Sequence, residues 1–195
     1  QVFAGNWRGY DPFDGQHRLH TREIPSPAIS SCFRTFQGWT ALTRQGPNDG
    51  TLQLVPVAEG ISYVLLRAFL DDVAEDDLCG AKPGRALGIS REWHPEMLDC
   101  QVSIPEVQPG DTVWWHTDVC HAVADEHNGT EYASVIYIGS SPSCPKNRAY
   151  LQPQREAFLD GRSAPDFAPM DFEVDFVGRA TEADLTDLGR KQMGF

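Results

Sequence analysis

Hydrophobic and polar positions change period several times along the chain, and each change marks an element. The run Phe33-Arg34-Thr35-Phe36-Gln37-Gly38-Trp39-Thr40-Ala41-Leu42 is rich in aromatic and β-branched residues, which predicts a strand. It stops at the turn cluster Gly46-Pro47-Asn48-Asp49-Gly50, and a second run, Thr51–Val55, follows before Pro56. Two β-runs around a Gly/Asn/Asp/Pro loop predict an antiparallel hairpin. From Ile61 to Ala74 the period lengthens: Ile61, Val64, Leu65, Ala68 and Phe69 fall at helical spacing, and an acidic segment, Asp71–Asp77, follows as a solvated helix end.

Short strands are expected again at Val102–Ile104, Thr112–His116 and Ala133–Ile138, with the turn Pro109-Gly110-Asp111 between the first two. After Gly139 the pattern loosens. Helices are expected at 148–159 and 182–192, and residues 1–31 read as loop with at most one short helix. The expected fold class is therefore mainly β with flanking helices, in the manner of a jelly roll. Its core spans about 32–140, and 141–195 forms a helical and irregular extension of the same domain. No βαβ alternation, phosphate-binding loop or dinucleotide fingerprint is present.

Composition narrows the function. Hydrophobic residues make up 41% and charged residues 23%, which are values for a chain that buries a core. The balance of 16 Lys+Arg against 28 Asp+Glu, a net charge of −12, makes a nucleic-acid partner or an anionic membrane surface a poor match. No apolar run reaches the length of a membrane span. Five cysteines, an odd number with no Cys-x-x-Cys pair, read as reduced thiols of a cytoplasmic protein. A small-molecule substrate is the remaining expectation.

Candidate chemistry concentrates in Gly110-Asp111-Thr112-Val113-Trp114-Trp115-His116-Thr117-Asp118-Val119-Cys120-His121. A strand that ends on an imidazole fixes a metal ligand rigidly, and its aromatic neighbours exclude water. His116, Asp118 and His121 form a tempting local triad, although strand alternation serves only the first two of them. His94-Pro95-Glu96 is the other His/carboxylate pair, and its loop context places His94 at the surface.

The segment from Asp111 to His121 resembles the seventh core strand of Fe(II)/2-oxoglutarate-dependent oxygenases, above all the phytanoyl-CoA hydroxylase-like branch. The stretch Gln37–Leu42, Asn48, Gly50 and Thr51–Pro56 is similar to that branch's upstream hairpin. Tyr10–Asp14, Phe33–Leu42, Trp115–Val123 and the tail Gly178-Arg179, Gly189 and Met193-Gly194 resemble, more narrowly, the C-terminal half of DUF1479 (YbiU-like) proteins. The resemblance implies a double-stranded β-helix, Fe(II) and 2-oxoglutarate as cofactors, and His121 as the distal histidine of a two-His-one-carboxylate site. It also implies that Trp39, Tyr132 and Ser134 border the cofactor.

Two departures bear on that implication. The H-x-D or H-x-E expected ahead of the Trp39 strand is missing, since His20-Thr21-Arg22 ends in a cation. The arginine that pairs with 2-oxoglutarate in relatives is replaced by Tyr132-Ala133-Ser134. The chain begins without methionine, so the expectation is a fragment whose missing N-terminal part, a partner within the same protein, carries the H-x-D. The alternative is a catalytically inactive jelly-roll module that binds a ligand or serves as a scaffold. A cupin-like metal enzyme using His94, Glu96, His116 and His121 is a third reading.

Overall fold

The structure, a computed structural model, describes residues 2–21, 31–166 and 173–195. Residues 22–30 of the expected N-terminal loop lie outside that set. The chain divides into two compact units. The first comprises Gln1–Gly15, Arg34–Ala81 and Leu87–Ser140; the second comprises Gln16–Phe33, Lys82–Ala86 and Ser141–Phe195.

The first unit holds six short strands: β1 (Phe36–Ala41), β2 (Leu52–Leu54), β3 (Val102–Ser103), β4 (Thr112–His116), β5 (His121–Val123) and β6 (Val135–Ser140). They form two antiparallel three-stranded sheets, ordered β4-β1-β6 and β3-β2-β5. The β-rich expectation is met. The hairpin is not, because β1 and β2 lie in different sheets.

The connection between them explains why. It is too long for a hairpin loop, and its residues are pinned separately. Gln45 exchanges backbone hydrogen bonds with Val107 at 2.8 and 3.1 Å, Asp49 bridges to His127, and the Gly46 N–H donates to Asp49 Oδ2 at 2.9 Å. The turn residues thus make a corner between sheets rather than a reversal within one. Burial supports the same arrangement. Trp39 and Ala41 on β1, Trp115 on β4, Leu52 on β2, Ile104 and Val107 form one buried cluster to which both sheets contribute.

Register also sets which side chains share a face. Gln37 pairs with Trp115 and Gly139, and Trp39 with Val113 and Tyr137, so these lie on the side of the shared cluster. Phe36, Gly38, Trp114 and His116 fall on the opposite side. Gly38 is required there: a Cβ would stand 2.7 Å from the Val113 carbonyl oxygen and 2.8 Å from the Trp114 ring.

Two helices complete this unit. Helix α1 (Gly60–Arg67) is shorter than the expected Ile61–Ala74, and the chain beyond it proceeds through turns. Helix α2 (Pro95–Asp99) starts with Pro95 in its first turn, where a missing N–H costs nothing. Val64 and Met97 from these helices join Val55 and Cys120 in a second buried cluster.

The second unit carries α3 (Pro145–Asp160) and α4 (Asp187–Met193), near the expected spans; α3 ends on Gly161 in a left-handed conformation. Buried Asn147 ties this unit's own chain together. Its Oδ1 accepts from the Phe33 N–H at 2.7 Å, and its Nδ2 donates to the carbonyls of Phe33 (2.8 Å) and Pro142 (2.7 Å). None of the five cysteines, all among the described residues, is in a disulfide.

Candidate functional site

The first unit contains a cavity of about 490 Å³ lined from both sheets. Gln37 and Trp39 come from β1, Trp115 from β4, Tyr137 from β6, Leu52 from β2 and His121 from β5. Its dimensions suit a small molecule. No lysine, arginine, aspartate or glutamate is among its described lining residues.

His121 opens β5, opposite Leu54, with an exposed side chain. Its Nδ1 lies 3.0 Å from the Val119 carbonyl oxygen. A carbonyl only accepts, so Nδ1 carries the proton and the neutral ring keeps its lone pair on Nε2. This is how histidine ligands are held ready for a metal. The ring also meets Trp115, with centroids 5.2 Å apart.

His116 has the opposite tautomer. Its Nδ1 accepts the Asp118 backbone N–H at 3.1 Å, which puts the neutral ring's proton on Nε2. It packs edge-on against Phe13 and Phe36, at 5.1 and 5.8 Å, on the far face of its sheet from Trp115. Asp118 accepts a hydrogen bond from the Tyr10 hydroxyl. The local triad of His116, Asp118 and His121 is therefore not assembled. Among the described residues, no three His, Cys, Asp or Glu side chains come close enough to hold a metal ion.

The remaining candidates separate. Trp39 is buried and lines the cavity. Tyr132 is 89% exposed and stands outside the lining; its carbonyl accepts from the Thr43 hydroxyl at 2.7 Å. Ser134 holds the corner between the sheets: its N–H donates to Thr43 Oγ1 at 3.0 Å, and its carbonyl accepts from Leu42 N–H and from Gln45 Nε2.

His94 corrects the surface assignment, because it is fully buried. Pro95 begins a helix there, and the imidazole turns inward against Tyr63, with centroids 6.1 Å apart. Burial and the nearby Arg67 guanidinium hold its pKa below the usual histidine value. With His94 buried near Tyr63 and His116 on the far face, the cupin-like set does not converge. Cys120 is buried as expected, and burial, with Asp118 nearby, pushes its thiol pKa up. It does not suit a nucleophile.

Sequence reasoning missed Gln45 and Thr51. Both are buried in the cavity wall, with the Thr51 hydroxyl donating to Gln45 Oε1 at 2.8 Å. They flank the turn cluster 46–50, and their hydrogen bond across it leaves no periodic signal in the sequence.

Tested against the implied iron, the described residues supply one well-prepared ligand, His121, and not a ligand set.

A family model described as Gig2-like matches residues 1–195. The protein YbiU of Escherichia coli (strain K12) is 45% identical over 195 residues, covering 99% of this chain and 46% of YbiU. A crystal structure from Salmonella typhimurium LT2, described as a "putative oxidoreductase", superposes with a TM-score of 0.92 at 44% identity, over 100% of this chain and 47% of that one. The DUF1479 protein GIG2 (GlcNAc Inducible Gene 2) of Candida albicans superposes with a TM-score of 0.76 at 28% identity, over 99% of this chain and 47% of that one. The family model covers the chain from end to end, which corrects its reading as a C-terminal half. Separately, the chain spans about half the length of these relatives.

Proposed function

Because the chain belongs to the Gig2-like (DUF1479) family, we propose that it is the His121-bearing portion of an Fe(II)/2-oxoglutarate-dependent oxygenase that oxidises a small molecule. The observation that carries this reading is the His121 tautomer: the Val119 carbonyl holds Nδ1–H, and Nε2 keeps its lone pair on a residue that lines a cavity between two sheets. Two antiparallel sheets sharing one buried cluster support a double-stranded β-helix. The Salmonella relative described as an oxidoreductase supports the reaction class.

The cofactor's chemistry, when bound, is coupling of 2-oxoglutarate decarboxylation to oxidation of a substrate. The part played by these residues is to orient one ligand, with the Trp115 ring against the His121 imidazole. A second histidine, a carboxylate and a cation for 2-oxoglutarate are not gathered beside His121 among the described residues. A ligand-binding module without turnover is the second reading, favoured by the lack of a three-ligand cluster and of a lining cation among the described residues.

The test is Fe(II) binding to the native full-length polypeptide under anaerobic conditions, followed by titration calorimetry. The expected result is one Fe(II) per chain, with affinity reduced at least about tenfold in His121→Ala. Equal iron affinity in the variant, or no iron binding in either protein, overturns the assignment.

A further inference from the structure

His116 ends β4 with its ring on the far face from Trp115, whereas His121 sets its ring against Trp115. What links the two imidazoles is backbone. Between them the chain turns tightly: the His116 carbonyl accepts the Val119 N–H at 3.0 Å. The His116 ring closes the same turn a second time. Its Nδ1 accepts the Asp118 N–H at 3.1 Å, the place an Asn Oδ1 takes when it bonds the backbone two residues on. The Asp118 carboxylate, 4.0 Å from that nitrogen, is engaged by the Tyr10 hydroxyl. Beyond the turn, the Cys120 carbonyl accepts the Val55 N–H at 2.9 Å. The Val119 carbonyl thus stands between two anchored points, and this carbonyl holds His121 Nδ1–H.

We infer that His116 is a positioning residue for His121: its Nδ1 fixes the 116–119 turn, and the turn fixes the Val119 carbonyl that selects the His121 tautomer. Burial suits His116 to this task. It is 8% exposed, and edge-on contacts with Phe13 and Phe36 keep its ring in one setting, so the acceptor does not swing away to water. His121 is exposed and has no such packing on all sides, so its tautomer depends on the carbonyl it meets. If the turn loosened, that carbonyl would rotate, and the ring would exchange between its two neutral forms. The inference deepens the reading above and rests on it for the metal that His121 would hold, while the turn itself stands without iron.

The test is NMR of the ring nitrogens in metal-free native full-length polypeptide labelled with 15N-histidine, at about pH 8.5, where imidazoles are ordinarily neutral. His121→Ala identifies the His121 signals by their loss. The parent is expected to show His121 in the Nδ1–H form alone. His116→Phe keeps a ring for Phe13 and Phe36 to pack against but has no acceptor, and there the His121 signals should divide between the two neutral forms. His116→Asn gives up the ring but keeps an acceptor at the δ position, and should restore the Nδ1–H form. A packing role predicts the reverse order, with Phe the milder change. Slow hydrogen exchange of the Asp118 amide in the parent tests the bond even if His116→Phe folds poorly. A single Nδ1–H form in His116→Phe, division in both variants, a parent without the Nδ1–H form, or an unprotected Asp118 amide overturns the inference. A protein whose His121 form follows position 116 but that takes no Fe(II) keeps this inference and loses the oxygenase reading. One that takes Fe(II) through His121, with the Nδ1–H form unmoved in His116→Phe, does the opposite.

Discussion

At the scale of single residues, hydrogen-bond direction decides what each histidine can do. His121 and His116 are five positions apart, yet one donates from Nδ1 and the other accepts there. Of these two, His121 is the one whose Nε2 lone pair is left for a ligand. His94 follows a different logic. Buried with its pKa held down, it favours the neutral ring in the fold, whereas the unfolded chain takes up its proton near the ordinary value of 6.5. Its contribution is complete above about pH 6.5 and is lost as the pH falls toward the depressed folded value. Urea unfolding should therefore show stability falling below about pH 6.5, by up to about 1.4 kcal/mol per pH unit. In His94→Gln that slope should flatten; an unchanged slope would place the titration elsewhere. Sequence singled out His121, Trp39 and the burial of Cys120. It misplaced His94 because Pro95 was taken for a loop signal when it occupies the first turn of α2.

At the scale of elements, the strands were legible because aromatic and β-branched residues cluster where pairing occurs: Thr112–His116 emerged with its expected bounds. Their pairing was not legible. A Gly/Pro/Asn loop bends the chain equally well into a hairpin or across to another sheet, and only the shared burial of Trp39, Ala41 and Leu52 distinguishes the two. Strand β5 was missed because three residues carry almost no period of their own. Strands β1 and β4 approach closely at Gly38. Gly38→Ala would drive a methyl group into the Val113 carbonyl and the Trp114 ring, at a cost of about 1–3 kcal/mol. The urea midpoint should fall accordingly; an unchanged midpoint would mean that β4 yields freely, contrary to its pairing with β1.

At the scale of the molecule, a net charge of −12 makes a nucleic-acid or anionic-membrane partner a poor match. No helix among the described residues is long and apolar enough to cross a membrane. The family was legible from short motifs because they fall where the fold is most constrained, on β1 and around β4 and β5. A metal-ligand set was not, since among the described residues His121 is the one histidine, cysteine or carboxylate lining the cavity. The oxygenase account is tested most directly by carbon dioxide release from 1-14C-labelled 2-oxoglutarate by the native full-length polypeptide. The account predicts release that requires both Fe(II) and O₂ and that disappears in His121→Ala. Release that persists in His121→Ala, or none from the parent protein with Fe(II) and O₂ supplied, would contradict it.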